Sequence, residues 1–313
     1  MIDAALLGTG GGMPMPHRFL ASLMVNYKGR KILIDCGEGT QVSMRMLGWG
    51  FKSLDVICIT HWHGDHTVGI PGLLTTLGNC GRTEPVTIIG PQGIKEIING
   101  LRVIAPFLPY ELNIIEWPQE HCDFSITSSG LTLSHNNFDV RISTLELEHS
   151  TPCLGYSIKI KRSPRFDVEK ALANQVPKNI WNTLQGGNSA TYEGRYYQPE
   201  MVLGQERQGI KISYITDTRP ITSIPEFIYG SDLFICEGTF KDDESLEKAK
   251  ISRHMTFKEA AELASKGNVK ELILTHFSPS IQEPEEFLKT AKDIFNNTVI
   301  GKDRMERTLV FEN

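Results

Sequence analysis

The chain of 313 residues contains no uninterrupted apolar run near the roughly 18 residues of a membrane-spanning helix, so no membrane association is expected. Its opening, Met1-Ile2-Asp3-Ala4-Ala5-Leu6-Leu7-Gly8, lacks a basic start and meets glycine too early for a signal peptide. The six cysteines (36, 58, 80, 122, 153 and 236) form no C-x-x-C pair, and three lie inside apolar runs. They read as reduced core thiols of a cytoplasmic protein, not as a disulfide framework. Positive charge is not in surplus either. The formal net charge of −5 removes any global electrostatic case for nucleic-acid binding and leaves only local basic patches. With 40% hydrophobic and 22% charged residues, the length suffices to bury a full core in one large or two small domains.

Early in the chain, residues 4–12 read as a short strand entering a glycine-rich loop. The loop has neither the lysine of a P-loop nor the spacing of a dinucleotide fingerprint, so a tight turn leaving room for a neighbouring site is expected. Lys31 to Thr40 is a second apolar strand ending in Asp35 and glycines. Asp35 suits either of two roles there, an outer partner that orients a ligand histidine or a helix N-cap.

The densest chemistry follows the apolar run Val56-Ile57-Cys58-Ile59, where Thr60-His61-Trp62-His63-Gly64-Asp65-His66 places three histidines and an aspartate within six residues. A strand end followed by a tight turn lets 61 and 63 point to one side while 65 and 66 reach a second point nearby. Imidazole and carboxylate are ligands that zinc and similar divalent ions accept. With nine histidines in the whole chain, this is a metal motif and not a polar loop with scattered histidines.

Beyond it, Val86–Gly90 reads as a strand, Pro91–Ile98 as a helix opened by proline, and residues 112–147 as successive strands. From Lys161 to about Gln208 prolines, glycines, asparagines and aromatics accumulate, with short helical patches expected at Asp167–Ala173 and Asn179–Leu184. This stretch is too long for an ordinary connector. Its opening half is basic: between Lys159 and Lys178 six basic side chains oppose two acidic ones, a local balance of +4. Compact character returns at Ile210, and a last helix is expected from about Glu283 to Asn296.

Four apolar runs end in a metal-type residue, at His61, His149, Asp217 and His276, spread over 215 positions. In α/β architectures sites collect where strand ends meet. The two halves also echo one another, Leu33-Ile-Asp-Cys-Gly-Glu-Gly-Thr40 against Leu233-Phe-Ile-Cys-Glu-Gly-Thr239, a hint of two β-rich halves sandwiched between helices. Five histidines and two aspartates suffice for two ions, and two ions a few ångströms apart clamp a phosphodiester in binuclear hydrolases.

The segments LGTGGGMPMPHR, DCGEGTQ, THWHGDHTVGIPGLL, His149 before Gly155-Tyr156, TDT, CEGTF, HMTFKEA and LTHFSP together resemble the ribonuclease Z family, tRNA 3′-processing endonucleases of the metallo-β-lactamase superfamily, over nearly the whole chain. The resemblance implies an α/β fold, a metallo-β-lactamase αββα sandwich forming a single domain over 1–313 with an inserted protruding arm at 161–205. It implies two divalent metal ions, zinc foremost, one held by His61, His63 and His149, the other by Asp65, His66 and His276, with Asp217 bridging both. Asp65 would orient the water between them and act as its base. His254, paired with Glu237, would protonate the leaving 3′-oxygen, although a histidine at a helix start needs no catalytic role. Precursor tRNA would be gripped by the arm, with Lys161, Arg162, Arg165, Lys170 and Lys178 on phosphates, and the family's homodimer would present it to the partner's site.

Three departures bear on substrate recognition and not on the ligand set. Val176-Pro177-Lys178-Asn179-Ile180-Trp181 stands where the family's arm carries a proline- and glycine-rich tip, Thr216 stands where glycine is usual, and Pro279-Ser280 replaces an arginine and tyrosine. They keep open a second reading, a related phosphodiesterase acting on small phosphodiesters or other RNAs. An inert RNA-binding scaffold would have lost ligands, and all seven are present. A redox or thioesterase relative would need neither an RNA arm nor the CEGTF and HMTF segments.

Overall fold

The computed structural model describes residues 1–118, 120–135, 138–241 and 245–312. In chain order its strands are β1 (Ile2–Gly8), β2 (Ser22–Tyr27), β3 (Arg30–Ile34), β4 (Leu54–Cys58), β5 (Val86–Gly90), β6 (Leu112–Glu116), β7 (His121–Thr127), β8 (Gly130–Leu133) and β9 (Val140–Leu147). There follow β10 (Cys153–Arg162), β11 (Ala190–Tyr192), β12 (Arg195–Tyr197), β13 (Arg207–Ile215), β14 (Leu233–Glu237), β15 (Leu272–Thr275), β16 (Thr298–Ile300) and β17 (Glu306–Leu309). The helices are α1 (Thr40–Leu47), α2 (Gly64–Thr67), α3 (Ile70–Asn79), α4 (Ile94–Leu101), α5 (Val168–Ala173), α6 (Trp181–Gln185), α7 (Ile224–Ile228), α8 (Leu246–Ser252), α9 (Phe257–Lys266) and α10 (Leu288–Lys292). None is long and apolar enough to cross a membrane.

Two units divide the chain, one of residues 1–159 and 211–310, the other of 160–210 and 311–313. The first holds two mixed sheets, ordered β17-β1-β2-β3-β4-β5-β6 and β16-β15-β14-β13-β10-β9-β7-β8. Strands β3 to β6 run parallel in one, and β13 to β16 run parallel in the other. Every residue of β4, β5, β14 and β15 is buried, the pattern of strands covered on both faces. One core joins Leu33 and Ile57 to Leu73, Leu77, Ile94 and Ile98 of α3 and α4. Its counterpart joins Phe234, Leu272 and Leu274 to Ile224, Phe257, Leu263 and Ala291 of α7, α9 and α10. Helices thus cover a face of each sheet, and the echo between the two sequence halves corresponds to two like parallel sets whose C-terminal ends carry the polar residues.

Two helix expectations need correction. The helix after Pro91 starts at Ile94, because Gly93 takes a left-handed conformation (φ 92°) at its N-cap. The last helix is broken into a single 3₁₀ turn, Pro284–Phe287, and the short α10. Tertiary pairing stops it early: the carbonyl of Asn297 already accepts from the amide of Leu272 at the start of β15.

The second unit has structure that its sequence conceals. Besides α5 and α6 it contains the hairpin β11–β12, and it packs its own small core of Ala171, Val176, Ile180, Leu184, Tyr197 and Val202.

Candidate metal centre

Strand endings build the centre. His61 follows β4 by a few residues, Asp217 follows β13, His276 follows β15, and His149 follows β9. α2 starts directly after His63, which puts Asp65 and His66 on its single turn. Donor atoms of His61, His63 and His149 lie within 4.8 Å of one another, and so do those of Asp65, His66 and His276. In the first trio, His63 Nδ1 is 3.0 Å from His61 Nε2 and 3.3 Å from His149 Nε2. In the second, the Nε2 atoms of His66 and His276 are 3.3 Å apart, and Asp65 Oδ2 is 3.4 and 3.6 Å from them. Asp217 divides its oxygens between the trios. Oδ2 faces His61 at 3.7 Å and His149 at 3.9 Å, whereas Oδ1 faces His66 at 3.5 Å and His276 at 3.1 Å.

Nitrogens with inward lone pairs do not sit 3.0–3.3 Å apart unless a proton or a cation lies between them. The edge of a tetrahedron of Zn–N bonds is about 3.3 Å, so these spacings and this donor set fit divalent metal ions.

Conformational strain concentrates at the same place. Asp35, Asp217 and His276, each just beyond a parallel strand, all have positive φ (61°, 51° and 57°), a region that costs non-glycine residues of order 1–3 kcal/mol each. Asp35 resolves its two readings in favour of the outer partner. Its Oδ2 accepts from His66 Nδ1 at 2.8 Å, and its carboxylate also takes the amide and hydroxyl of Thr60, while α1 has Gly39 at its N-cap. The glycine-rich loop leaves room for a neighbouring site, as its sequence suggests. A Cβ on Gly11 would lie 2.4 Å from the His276 ring, and the amide of Gly12 donates to Asp65 Oδ2 at 2.8 Å.

Electrostatics follow from burial and neighbours. Burial opposes the charged ring of His61 and lowers its pKa well below the usual value. For Asp217 burial works the other way, but His276, His66 and His61 outweigh it and hold the carboxylate well below the usual range. Asp65 is lowered in the same way, against burial, by the neighbouring His276 and His66 rings.

Glu237 and His254 form a neighbouring pair. Fully buried Glu237 accepts His254 Nδ1 at 3.1 Å and the Met255 amide at 3.0 Å on Oε2, and the Thr218 amide at 2.7 Å on Oε1. Burial disfavours the charged imidazole, yet Glu237 and Asp217 overcome it and raise His254 to about 9. The His254 ring stacks 5.4 Å from that of His276. Thr239 links the two groups, donating to Glu237 Oε2 at 2.6 Å and lying 3.0 Å from His276 Nδ1. Neither Thr60 nor Thr239 was singled out from sequence. Both follow a buried strand within three residues, a faint signal that only their neighbours in space make readable. Thr216 donates to Asp217 Oδ1 at 2.5 Å.

The five basic residues of 161–178 all lie in the second unit. Lys170 Nζ is tied to the Leu203 carbonyl at 2.9 Å, the Arg162 guanidinium lies over the Phe311 ring, and Lys178 lies 5.9 Å from the Trp181 ring centre. Val176 and Ile180 are buried in that unit's core, with the Trp181 indole donating to the Val176 carbonyl. The altered segment is therefore a packed element and not a glycine-rich tip.

Comparison with known proteins agrees with the geometry. The family profile described as "Beta-lactamase superfamily domain" matches residues 198–277, and that of "Anti-Pycsar protein Apyc1" matches residues 2–103. The chain is similar in fold to the metallo-beta-lactamase fold protein YhfI from Bacillus subtilis (18% identity, 98% of each chain, TM-score 0.68). It is similarly close to human tRNase Z, short form (24% identity, 99% of this chain and 100% of that one, TM-score 0.67). Its fold is the metallo-β-lactamase αββα sandwich. Over its full length it is 58% identical to the ribonuclease Z of Clostridium tetani, with all of both chains covered. It is 59% identical to that of Clostridium beijerinckii, with 99% of each covered. By this full-length identity, the chain belongs to the ribonuclease Z family.

Proposed function

We propose that this protein is a metal-dependent endoribonuclease that hydrolyses the 3′ trailer from precursor tRNA. The observation that supports it most is Asp217, whose two oxygens face two separate three-residue groups. On this reading His61, His63 and His149 would hold one divalent ion and Asp65, His66 and His276 a second, with Asp217 offering one oxygen to each group. Zinc is the expected metal, since its neutral imidazole and carboxylate ligands predominate here. Such ions, when bound, supply Lewis-acid stabilisation of the phosphoryl oxygens.

The protein's own groups handle the protons. Asp65, kept ionised by its neighbours and oriented by the Gly12 amide, takes a proton from the attacking water. As the new P–O bond forms, the bond to the 3′-oxygen breaks, and His254 delivers the proton that this leaving alkoxide requires. Glu237 keeps that imidazolium charged and turned toward the site.

The segment 161–205 acts as the substrate-holding arm, its basic residues positioning phosphates without reading sequence. A cytoplasmic homodimer, one subunit's arm serving the other's site, belongs to the same reading. The packed segment around Val176 and Ile180 favours a second one, a phosphodiesterase for small phosphodiesters or other RNAs. Deleting residues 165–200 separates them. The first reading expects loss of precursor tRNA cleavage with hydrolysis of bis(p-nitrophenyl) phosphate retained; ester hydrolysis by the unaltered protein with the precursor left intact favours the second.

A further inference from the structure

Two arginines outside the ligand set and the Glu237–His254 pair hold the main chains of two site histidines. Arg219 lies two residues beyond Asp217, and its Nη1 donates to the carbonyl of His254. Arg253, immediately before His254, donates through Nη1 to the carbonyl of His149. The loops that carry these residues are already stitched together: the Glu148 amide donates to Thr218 Oγ1 at 3.0 Å, and the Arg219 amide donates to the Glu148 carbonyl at 3.3 Å. Arg253 takes a left-handed conformation (φ 59°) at the C-cap of α8, a position that glycine would fill at less cost.

Arg219 reaches further. Its guanidinium also forks onto both oxygens of Glu259, with Nη1 3.1 Å from Oε2. Glu259 closes the capping box of α9, accepting the Thr256 amide at 3.0 Å. One planar group therefore fixes the His254 carbonyl and the helix start two residues later. A lysine is a point charge and does not satisfy both at once. The ring of His254 lies 5.3 Å from that of His149, and its Nδ1 is committed to Glu237. Where its other nitrogen points depends on where the backbone of residue 254 sits.

We propose that Arg219 is a positioning residue for the proton donor, and that Arg219 and Arg253 cross-brace His254 against His149 so that the acid and the metal-binding side are set relative to one another. This rests on the assignment of His254 as proton donor to the leaving 3′-oxygen. A donor misplaced by about 1 Å loses on the order of 100-fold in rate. That loss is confined to substrates whose leaving group needs a proton.

The test uses metal-loaded protein and two substrates. An RNA alkoxide must be protonated as it leaves; p-nitrophenolate need not be. For Arg219→Ala, the ratio of precursor tRNA cleavage to bis(p-nitrophenyl) phosphate hydrolysis falls on the order of 100-fold through kcat, with KM for the precursor unchanged. Arg219→Lys is intermediate. In a His254→Ala background the same substitution lowers the ratio no further, because both changes remove one function. Equal losses on both substrates, or full additivity with His254→Ala, overturn the proposal in favour of a purely structural brace. If Arg219→Ala does not fold, Arg219→Lys and Glu259→Gln carry the same comparison. If the unaltered protein leaves precursor tRNA intact, the function reading fails by itself. The ratio is then taken with a short single-stranded RNA, whose leaving group is also an alkoxide.

Discussion

Asp35 Oδ2 and His66 Nδ1 meet at 2.8 Å, with neither side chain more than 1% exposed. The bond fixes the tautomer of His66 and leaves Nε2 as the donor atom facing His276. Asp35→Asn keeps the size and tolerates the left-handed backbone, but it exchanges a carboxylate for an amide. Metal affinity is expected to fall about 10- to 100-fold, measured by chelator competition. Unaltered affinity would mean that the pair serves packing alone.

Gly11 and Gly12 give a matched comparison. A methyl on Gly11 enters the His276 ring, whereas one on Gly12 meets nothing within 4 Å and costs only its left-handed strain, about 1 kcal/mol. Gly11→Ala should lower metal bound per chain and Gly12→Ala should not, as read by elemental analysis of purified protein. Equal metal content in the two variants contradicts the close packing of the loop on His276.

Because His254 is raised from its ordinary value to about 9 by Glu237 and Asp217 acting against burial, the pair stabilises the metal-free fold in a defined pH window. The contribution is complete below the unfolded value of about 6.5 and is lost as pH rises through about 9. Denaturant unfolding of metal-free protein should show Glu237→Gln costing most below pH 6.5 and progressively less toward pH 9. A cost independent of pH would assign the loss to the Met255 and Thr218 amides instead.

Far from the metal centre, Asp55 accepts from Arg30, Arg82 and the Leu131 amide, and Asp55 and Arg82 are no more than 1% exposed. Asp55→Ala strands a fully buried guanidinium. A loss of about 3–5 kcal/mol in urea unfolding is expected. A loss below about 1 kcal/mol, the scale of an exposed pair, would show that Arg82 is compensated by the carbonyls of Lys52, Glu84 and Pro85, to which it also donates.

Much of this was legible because metal chemistry concentrates in short strings. His61 to His66 announce themselves by spacing, and β4, β13 and β15 by apolar runs that stop at a polar residue. Tertiary relations were less accessible. Nothing near Asp35 in sequence says whether it caps a helix or orients His66, thirty-one positions away; a left-handed backbone and a buried Thr60 decide it. No motif in the sequence marks Arg219, since its partners at 254 and 259 are remote from it along the chain. In the second unit, the core of Val176, Ile180 and Leu184 is assembled from single apolar residues that form no run. Pattern reading therefore finds the two short helical patches there but neither the hairpin nor the core that joins them.

The central claim is that this histidine–aspartate cluster cleaves precursor tRNA through bound metal. Incubating the purified protein with a precursor tRNA bearing a 3′ trailer, with and without a chelator, tests it directly. The account predicts a single cut after the discriminator base that the chelator abolishes and added divalent metal restores. Cleavage indifferent to the chelator, or an intact precursor beside rapid hydrolysis of bis(p-nitrophenyl) phosphate, would contradict it.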